Sequence, residues 1–181
     1  MIALHAGLRD SEIRHLQWRQ IDFFKQILTV GKSKTAEGTG RTVRLNSELL
    51  KALIERQTWY TANVGSPSGG HFVFPGGAYK RYDLTKPVTS LKTGWNRARR
   101  RAKVSARFHD LRHTVITKLC ESGAGDETIR SIVGHVSQRV LRRYAHIRTE
   151  ARRRALESIV QPVEVIPPQQ AEEALESAVI N

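Results

Sequence analysis

Several shortages narrow the class of this protein before any motif is considered. One cysteine, Cys120, stands among 181 residues, so no internal disulfide can form and cysteine-built metal sites are excluded. Its neighbours Ile116 and Leu119 are apolar, and it is expected to be a small buried hydrophobe on a helix. No apolar run approaches the ~20 residues that a membrane-spanning helix requires. The opening Met1-Ile2-Ala3-Leu4-His5-Ala6 lacks the basic segment and long apolar stretch of a signal peptide. The expectation is a soluble, cytoplasmic protein. Neither an internal repeat nor a long low-complexity tract is present. Acidic residues are also few: 17 Asp and Glu stand against 30 Lys and Arg, for a net charge of +13. Residues 161–181 hold four acids and no Lys or Arg, so residues 1–160 carry +17. Such an excess favours a polyanionic partner, because cations that contact phosphate release condensed counterions.

With 39% apolar residues there is enough to build a packed core. The first residues read as the end of a helix broken by Gly7, as if a preceding element lay outside this sequence. Asp10 or Ser11 is suited to cap a second helix running to about Arg19, with Ile13, Leu16 and Trp18 inward. Segments 27–30 and 42–45 are β-rich and flank a polar, glycine-containing turn, which predicts a hairpin with a long basic loop. Ser47 is expected to cap a helix to about Tyr60, with Leu49, Leu50, Leu53 and Ile54 as its core stripe. Segment 71–74 is a candidate third strand, ended by Pro75-Gly76-Gly77. Helices are then predicted from Thr89 or Ser90 to Lys103, from Asp110 to Ser122, and from a cap at Asp126 to a stop at Gly134. A helix capped by Ser137 is expected to carry Tyr144, and Thr149 to cap another through Ile159. The fold class is α+β, mainly α-helical, with a small three-stranded antiparallel sheet at one side of a helical core. Residues 1–160 form the domain. Residues 161–181 form a proline-containing linker and an acidic amphipathic helix with Leu175, Val179 and Ile180 apolar.

Three short stretches place basic, imidazole or phenolic groups where a phosphodiester would need them: Gly7-Leu8-Arg9-Asp10-Ser11-Glu12, His109-Asp110-Leu111-Arg112-His113, and Gly134-His135 followed nine residues later by Tyr144. The planar fork of Arg9 suits phosphoryl oxygens, and Glu12, one turn on, can orient it. His109 and Arg112 are three apart at a helix start and share a face. Basic neighbours of Tyr144 are expected to lower its pKa toward the nucleophilic phenolate. Lys32 and Lys34 lie in the hairpin loop, within reach of a leaving oxygen. The run Arg97, Arg99, Arg100, Arg101, Lys103, Arg107 has no interleaved acid and reads as a phosphate-tracking stripe. A metal reading competes. His109 and His113 have zinc-ligand spacing, but Asp110 stands where a metalloprotease helix has Glu, and further ligands are few.

Together these stretches resemble the catalytic domain of the tyrosine recombinases, the phage integrase family. The family order of Arg, hairpin Lys, His-x-x-Arg, Gly-His and Tyr corresponds to Arg9, Lys34, His109, Arg112, His135 and Tyr144. The resemblance spans residues 1 to about 147 and implies that a DNA-clamping domain and the first catalytic-domain helix lie outside this sequence. It implies cleavage and rejoining of double-stranded DNA through a 3′-phosphotyrosine on Tyr144. Arg9 and Arg112 would bind the non-bridging oxygens, and Lys34 (or nearby Lys32) would protonate the leaving 5′-oxygen. His109 would assist proton transfer, His135 would hydrogen-bond the phosphate, and Glu12 would support Arg9. The expected DNA contacts are Lys32, Arg97, Arg99, Arg100, Arg101, Arg107, Arg139 and Arg143. No metal or other cofactor is implied. A homo-oligomer on DNA, a tetramer in synapsis, is implied, with the C-terminal tail docked on a neighbouring subunit. Two alternatives stay open: a DNA-binding domain without catalysis, and a strand-cleaving enzyme like the type IB topoisomerases.

Overall fold

The computed structural model of the chain describes residues 1–31, 33, 38–78 and 80–160. Helix α1 (Ile2–Ala6) ends at Gly7, whose left-handed φ of 64° turns the chain sharply. A β-carbon at Gly7 would meet Val133 Cγ1 at 2.6 Å, so the turn is pressed against a distant part of the chain. Helix α2 (Asp10–Arg14) follows, with Arg9 as its N-cap and Glu12 Oε2 accepting from the Arg9 N–H at 2.9 Å. This helix is shorter than its apolar spacing predicts. Leu16 O instead accepts from Val73 N (2.8 Å), and Trp18 N donates to His71 O (3.1 Å), which holds the segment extended.

A three-stranded antiparallel sheet forms from β1 (Ile21–Asp22), β2 (Ile27–Thr29) and β3 (Thr42–Arg44), in that order. The hairpin is therefore as expected, with Leu28 opposite Val43 and both buried. The third strand is not 71–74. That segment makes an isolated bridge from Phe72 to Gln17, and the third place goes to Ile21–Asp22, too short to show any alternation in sequence. Nor does Pro75-Gly76-Gly77 end a strand. It lies in β4 (Pro75–Ala78), which pairs with the mostly polar β5 (Arg81–Pro87), and Gly77 adopts φ 92° where a side chain would strike Arg81 O.

Helix α3 (Ser47–Asn63) is capped by Asn46, not Ser47: the Asn46 side chain accepts from Leu49 N at 2.9 Å. Leu49 and Leu53 are buried, whereas Ile54 is exposed. Then come α4 (Lys92–Arg101), α5 (Asp110–Glu121), α6 (Asp126–Val133), α7 (Gln138–Arg142) and α8 (Ala145–Glu157). Gly125 precedes α6 as its cap residue, and Ser137 caps α7 through Val140 N. Tyr144 lies beyond α7, at the N-cap of α8, and Thr149 is inside α8 with its hydroxyl bonded to Ala145 O. Residues 161–181, including the expected tail helix, lie outside the described residues.

The core has two lobes. One gathers Ile2, Ala6, Leu8, Ile13, Leu28, Leu49 and Tyr60 around the sheet and α3. The other gathers Val115, Ile116, Cys120, Ile129, Val133 and Leu141 from the last helices, with Cys120 fully buried as expected. Ile132 packs on both lobes, and α5 lies against both α1 and α8. The Gly7 turn sits at this junction. Gly7→Ala combines a left-handed penalty of about 1–2 kcal/mol with overlap on Val133. It is expected to lower stability by at least about 2 kcal/mol in urea unfolding, and a loss below about 0.5 kcal/mol would show that the turn relaxes freely.

Candidate active site

The junction between the lobes assembles side chains from distant parts of the sequence. Arg9, released at the start of α2, donates through Nη2 to the His135 carbonyl at 2.9 Å. Arg112, on the first turn of α5, reaches the same carbonyl through its own Nη2 at 3.3 Å. Its Nη1 donates to Gly7 O at 2.6 Å and also to Val133 O. Two guanidinium forks separated by 103 positions in the chain thus converge on one oxygen atom. Arg112 is almost wholly buried, at 4% exposure, whereas Arg9 and His135 remain accessible. Burial lowers the Arg112 pKa to about 10, with the neighbouring Arg9 charge acting in the same direction. It remains a cation at neutral pH.

Beneath the forks lies Glu12, buried at 4% exposure. Its carboxylate accepts from Arg9 Nη1 (2.9 Å), Ser33 Oγ (2.6 Å), and Arg41 Nη1 (3.1 Å) and Nη2 (2.8 Å). Burial pushes its pKa up, but hydrogen bonds from Arg41, Ser33 and the Arg9 N–H, with the Arg41 charge, outweigh that and hold it at about 2. Arg41 and Ser33 were not anticipated from sequence. Arg41 precedes an ordinary strand, and its partner is 29 positions away, so no local spacing marks it.

His109 stands at the N-cap of α5, its pKa lowered by partial desolvation of the ring and then by the electrostatic influence of His113, Arg112 and Arg9. Its ring meets that of His113 edge-on, with centroids 5.1 Å apart. Among the described residues no group of three or more His, Cys, Asp or Glu gathers to hold a metal. The phenol of Tyr144 lies elsewhere than the forks: its hydroxyl is 2.9 Å from His113 Nδ1, in a recess that Thr117, Lys118 and Arg143 also line. Among the described residues it makes no hydrogen bond to Arg9, Arg112, His109 or His135. Nor is its pKa lowered, as its basic neighbours suggested. Burial raises it, and the opposing pull of Arg143 is a lesser effect. His113, read from sequence only as a zinc-spaced residue, is the group that touches the phenol.

Lys34 and Lys32 lie outside the described residues. Of the expected DNA contacts, Arg97, Arg100, Arg101, Arg107, Arg139 and Arg143 are exposed and Arg99 is half-buried. Arg107 pairs with Asp110 at 3.0 Å.

The chain belongs to the phage integrase family, whose sequence pattern matches residues 1–151. It is 29% identical over 151 residues to the integrase of Salmonella phage P22, covering 80% of this chain and 37% of that protein. To the prophage integrase IntR of Escherichia coli K12 it is 33% identical over 162 residues, covering 74% and 38%. The chain thus spans well under half the length of these relatives. Its fold matches that of the Tn1549 transposon integrase, solved with a circular intermediate DNA, at a TM-score of 0.64 and 20% identity, over 88% of this chain and 57% of that one.

The Glu12 pKa carries a pH dependence with a definite sign. A carboxyl held at about 2, below its ordinary 4.5, contributes stability that is complete above pH 4.5 and is lost as pH falls toward 2. Glu12→Gln is expected to cost about 3 kcal/mol at neutral pH, because buried cations lose their partner. The gap to the wild type should close on acidification through that window. Urea unfolding as a function of pH measures it, and a gap that stays constant with pH would contradict the assignment.

Proposed function

We propose that this chain is the catalytic domain of a site-specific DNA recombinase that cleaves and rejoins strands through a 3′-phosphotyrosine on Tyr144. The observation that carries the reading is the meeting of Arg9 and Arg112 on one oxygen position beside His135. Two guanidinium forks around one point suit the non-bridging oxygens of a phosphodiester, whose charge rises as a fifth oxygen approaches phosphorus. His135, exposed at the same turn, would add a donor, and His109, close enough to feel the charges of both forks, would hold the phosphate or pass a proton. Lys34 is assigned the leaving 5′-oxygen from the sequence pattern alone.

In this reading Tyr144 gives up its phenol proton with the help of His109 and attacks phosphorus through the phenol oxygen, the phosphorus–oxygen bond to the 5′ carbon's oxygen breaks, and the departing oxygen gains a proton from Lys34. A second strand's 5′-hydroxyl then reverses these changes, so the energy of the phosphodiester is retained and no nucleotide cofactor enters. The phenol must first leave His113, where its hydroxyl now rests, and move to the forks. The duplex would run across the exposed basic face of α4 and the Arg139 and Arg143 side chains; that the Tn1549 integrase was solved in complex with DNA supports a duplex as the partner. A prokaryotic or phage-encoded protein fits the sources of the relatives. Assembly on two duplexes is proposed to use residues 161–181, with Leu175, Val179 and Ile180 docked on a neighbouring subunit.

Tyr144→Phe is expected to abolish a covalent protein–DNA adduct on a library of nicked duplexes while leaving duplex affinity within about twofold, since the phenol makes no fork contact. An adduct of equal yield would move the nucleophile elsewhere. Absence of any adduct from the wild-type chain would favour binding without catalysis, and relaxation of a single supercoiled duplex would favour the topoisomerase-like alternative. Deleting residues 165–181 is expected to reduce the mass of the DNA-bound assembly in light scattering. An unchanged mass would place the subunit contact outside the tail.

A further inference from the structure

Glu12 has two guanidinium partners, and they are not equivalent. Arg41 meets the carboxylate fork to fork, with Nη1 on Oε1 at 3.1 Å and Nη2 on Oε2 at 2.8 Å. The Arg9 side chain reaches it with one nitrogen only, Nη1 on Oε1 at 2.9 Å, and turns Nη2 outward to His135 O. Two further Arg41 donors are also spent internally: Nε on Ile132 O at 3.2 Å, and Nη1 on Gly38 O at 2.8 Å as well. The Arg41 side chain is 5% exposed against 20% for Arg9. Its guanidinium also fills the space under the Gly134 turn, where a β-carbon would approach Nη1 to 3.0 Å.

We propose that Arg41 is a positioning residue: it takes up the Glu12 charge in a sealed bidentate pair, so that Arg9 keeps its charge and an outward-facing fork for an oxyanion. A planar carboxylate binds one guanidinium bidentately along one edge. With Arg41 in that place, Arg9 is limited to the single outer contact. Without it, Arg9 is the only guanidinium left on a buried carboxylate, and both its fork and its charge are drawn inward. The low pKa of Glu12 agrees, since Arg41 acts on it both as hydrogen-bond donor and as charge. Arg41 also ties three elements together, α2, the end of β2–β3 hairpin turn at Gly38, and the last turn of α6, so the oxyanion pocket and its charge balance share one side chain.

The inference rests on the reading of Arg9 and Arg112 as an oxyanion pocket, and the test separates the two. Tungstate, a tetrahedral dianion, serves as the probe, titrated calorimetrically at low ionic strength into the full chain. Wild type is expected to bind it and Arg9→Met to lose it. Arg41→Met is expected to weaken binding at least about tenfold, since the Glu12 charge then draws on Arg9. In a Glu12→Gln background the same Arg41→Met change is expected to cost less than about threefold, because no carboxylate remains to capture Arg9. This second comparison also serves if Arg41→Met alone does not fold, since the pair leaves no unpaired buried carboxylate. Tungstate bound by wild type but lost equally on removing Arg41 in both backgrounds would reduce Arg41 to a structural prop and overturn the inference. So would unchanged affinity in Arg41→Met. Failure of wild type to bind, or binding insensitive to Arg9→Met, would instead remove the oxyanion pocket itself and the inference with it.

Discussion

A single buried carboxylate organises the junction of this domain. Glu12 is sealed from water beneath two arginines, and the hydrogen bonds it accepts come from three parts of the chain: the α2 start, Ser33, and Arg41 at the edge of the sheet. Burying one negative charge is costly, and only a dense shell of donors makes it tolerable. Once that shell forms, it fixes where the cations stand. Arg9 is held at the mouth, Arg41 at the base, and Arg112 is anchored separately by the carbonyls of Gly7 and Val133. Two buried or half-buried guanidiniums beside each other would repel. Their shared hydrogen bonding to His135 O, with Glu12 below, is what lets them coexist.

The backbone takes part in this as fully as the side chains. Gly7 and Gly134 both lie at positive φ, and both give up a β-carbon where another element presses close, Val133 in one case and Arg41 in the other. These two turns bring the carbonyls of Gly7, Val133 and His135 into one small volume, and those carbonyls are the acceptors for Arg112. Main-chain acceptors therefore hold the arginines of the proposed oxyanion pocket in place. The proposed nucleophile is organised separately. Tyr144 belongs to the second lobe, at the joint between α7 and α8, where burial raises the pKa of its phenol and His113 shares a hydrogen bond with it. In the proposed reaction, phosphate binding and supply of the nucleophile thus rest on different elements, linked through the adjacent positions 112 and 113 on α5.

Much of the helical architecture was readable in the sequence because it is written locally. The apolar spacing of Leu49 and Leu53, the cap at Ser137 and the stop at Gly134 are all short-range signals, as is the 27–30/42–45 hairpin. What misled was also local. Phe72 and Val73 have strand composition, but their partners are Gln17 and Leu16, and no pattern within 71–74 distinguishes that edge from the sheet edge taken by Ile21–Asp22. Polar β5 carries no alternation because much of it faces water, and α2 stops early because Leu16 and Trp18 have main-chain partners more than 50 positions on.

The site divides the same way. Arg9, His109, Arg112, His135 and Tyr144 stand out in sequence because their chemistry is unusual at those spacings, and Glu12 because it lies one helical turn from Arg9. That information is one-dimensional and needs no fold. Which of them meet, and which charge offsets which, was decided only by tertiary structure. Arg41 looks like any basic residue before a strand until folding sets it against Glu12, and Tyr144 looks primed by basic neighbours until burial raises its pKa and His113 takes its hydroxyl. The reason is physical: a side chain's identity is a property of the polymer, but its solvation and its partners depend on distances that exist only after the chain has closed on itself.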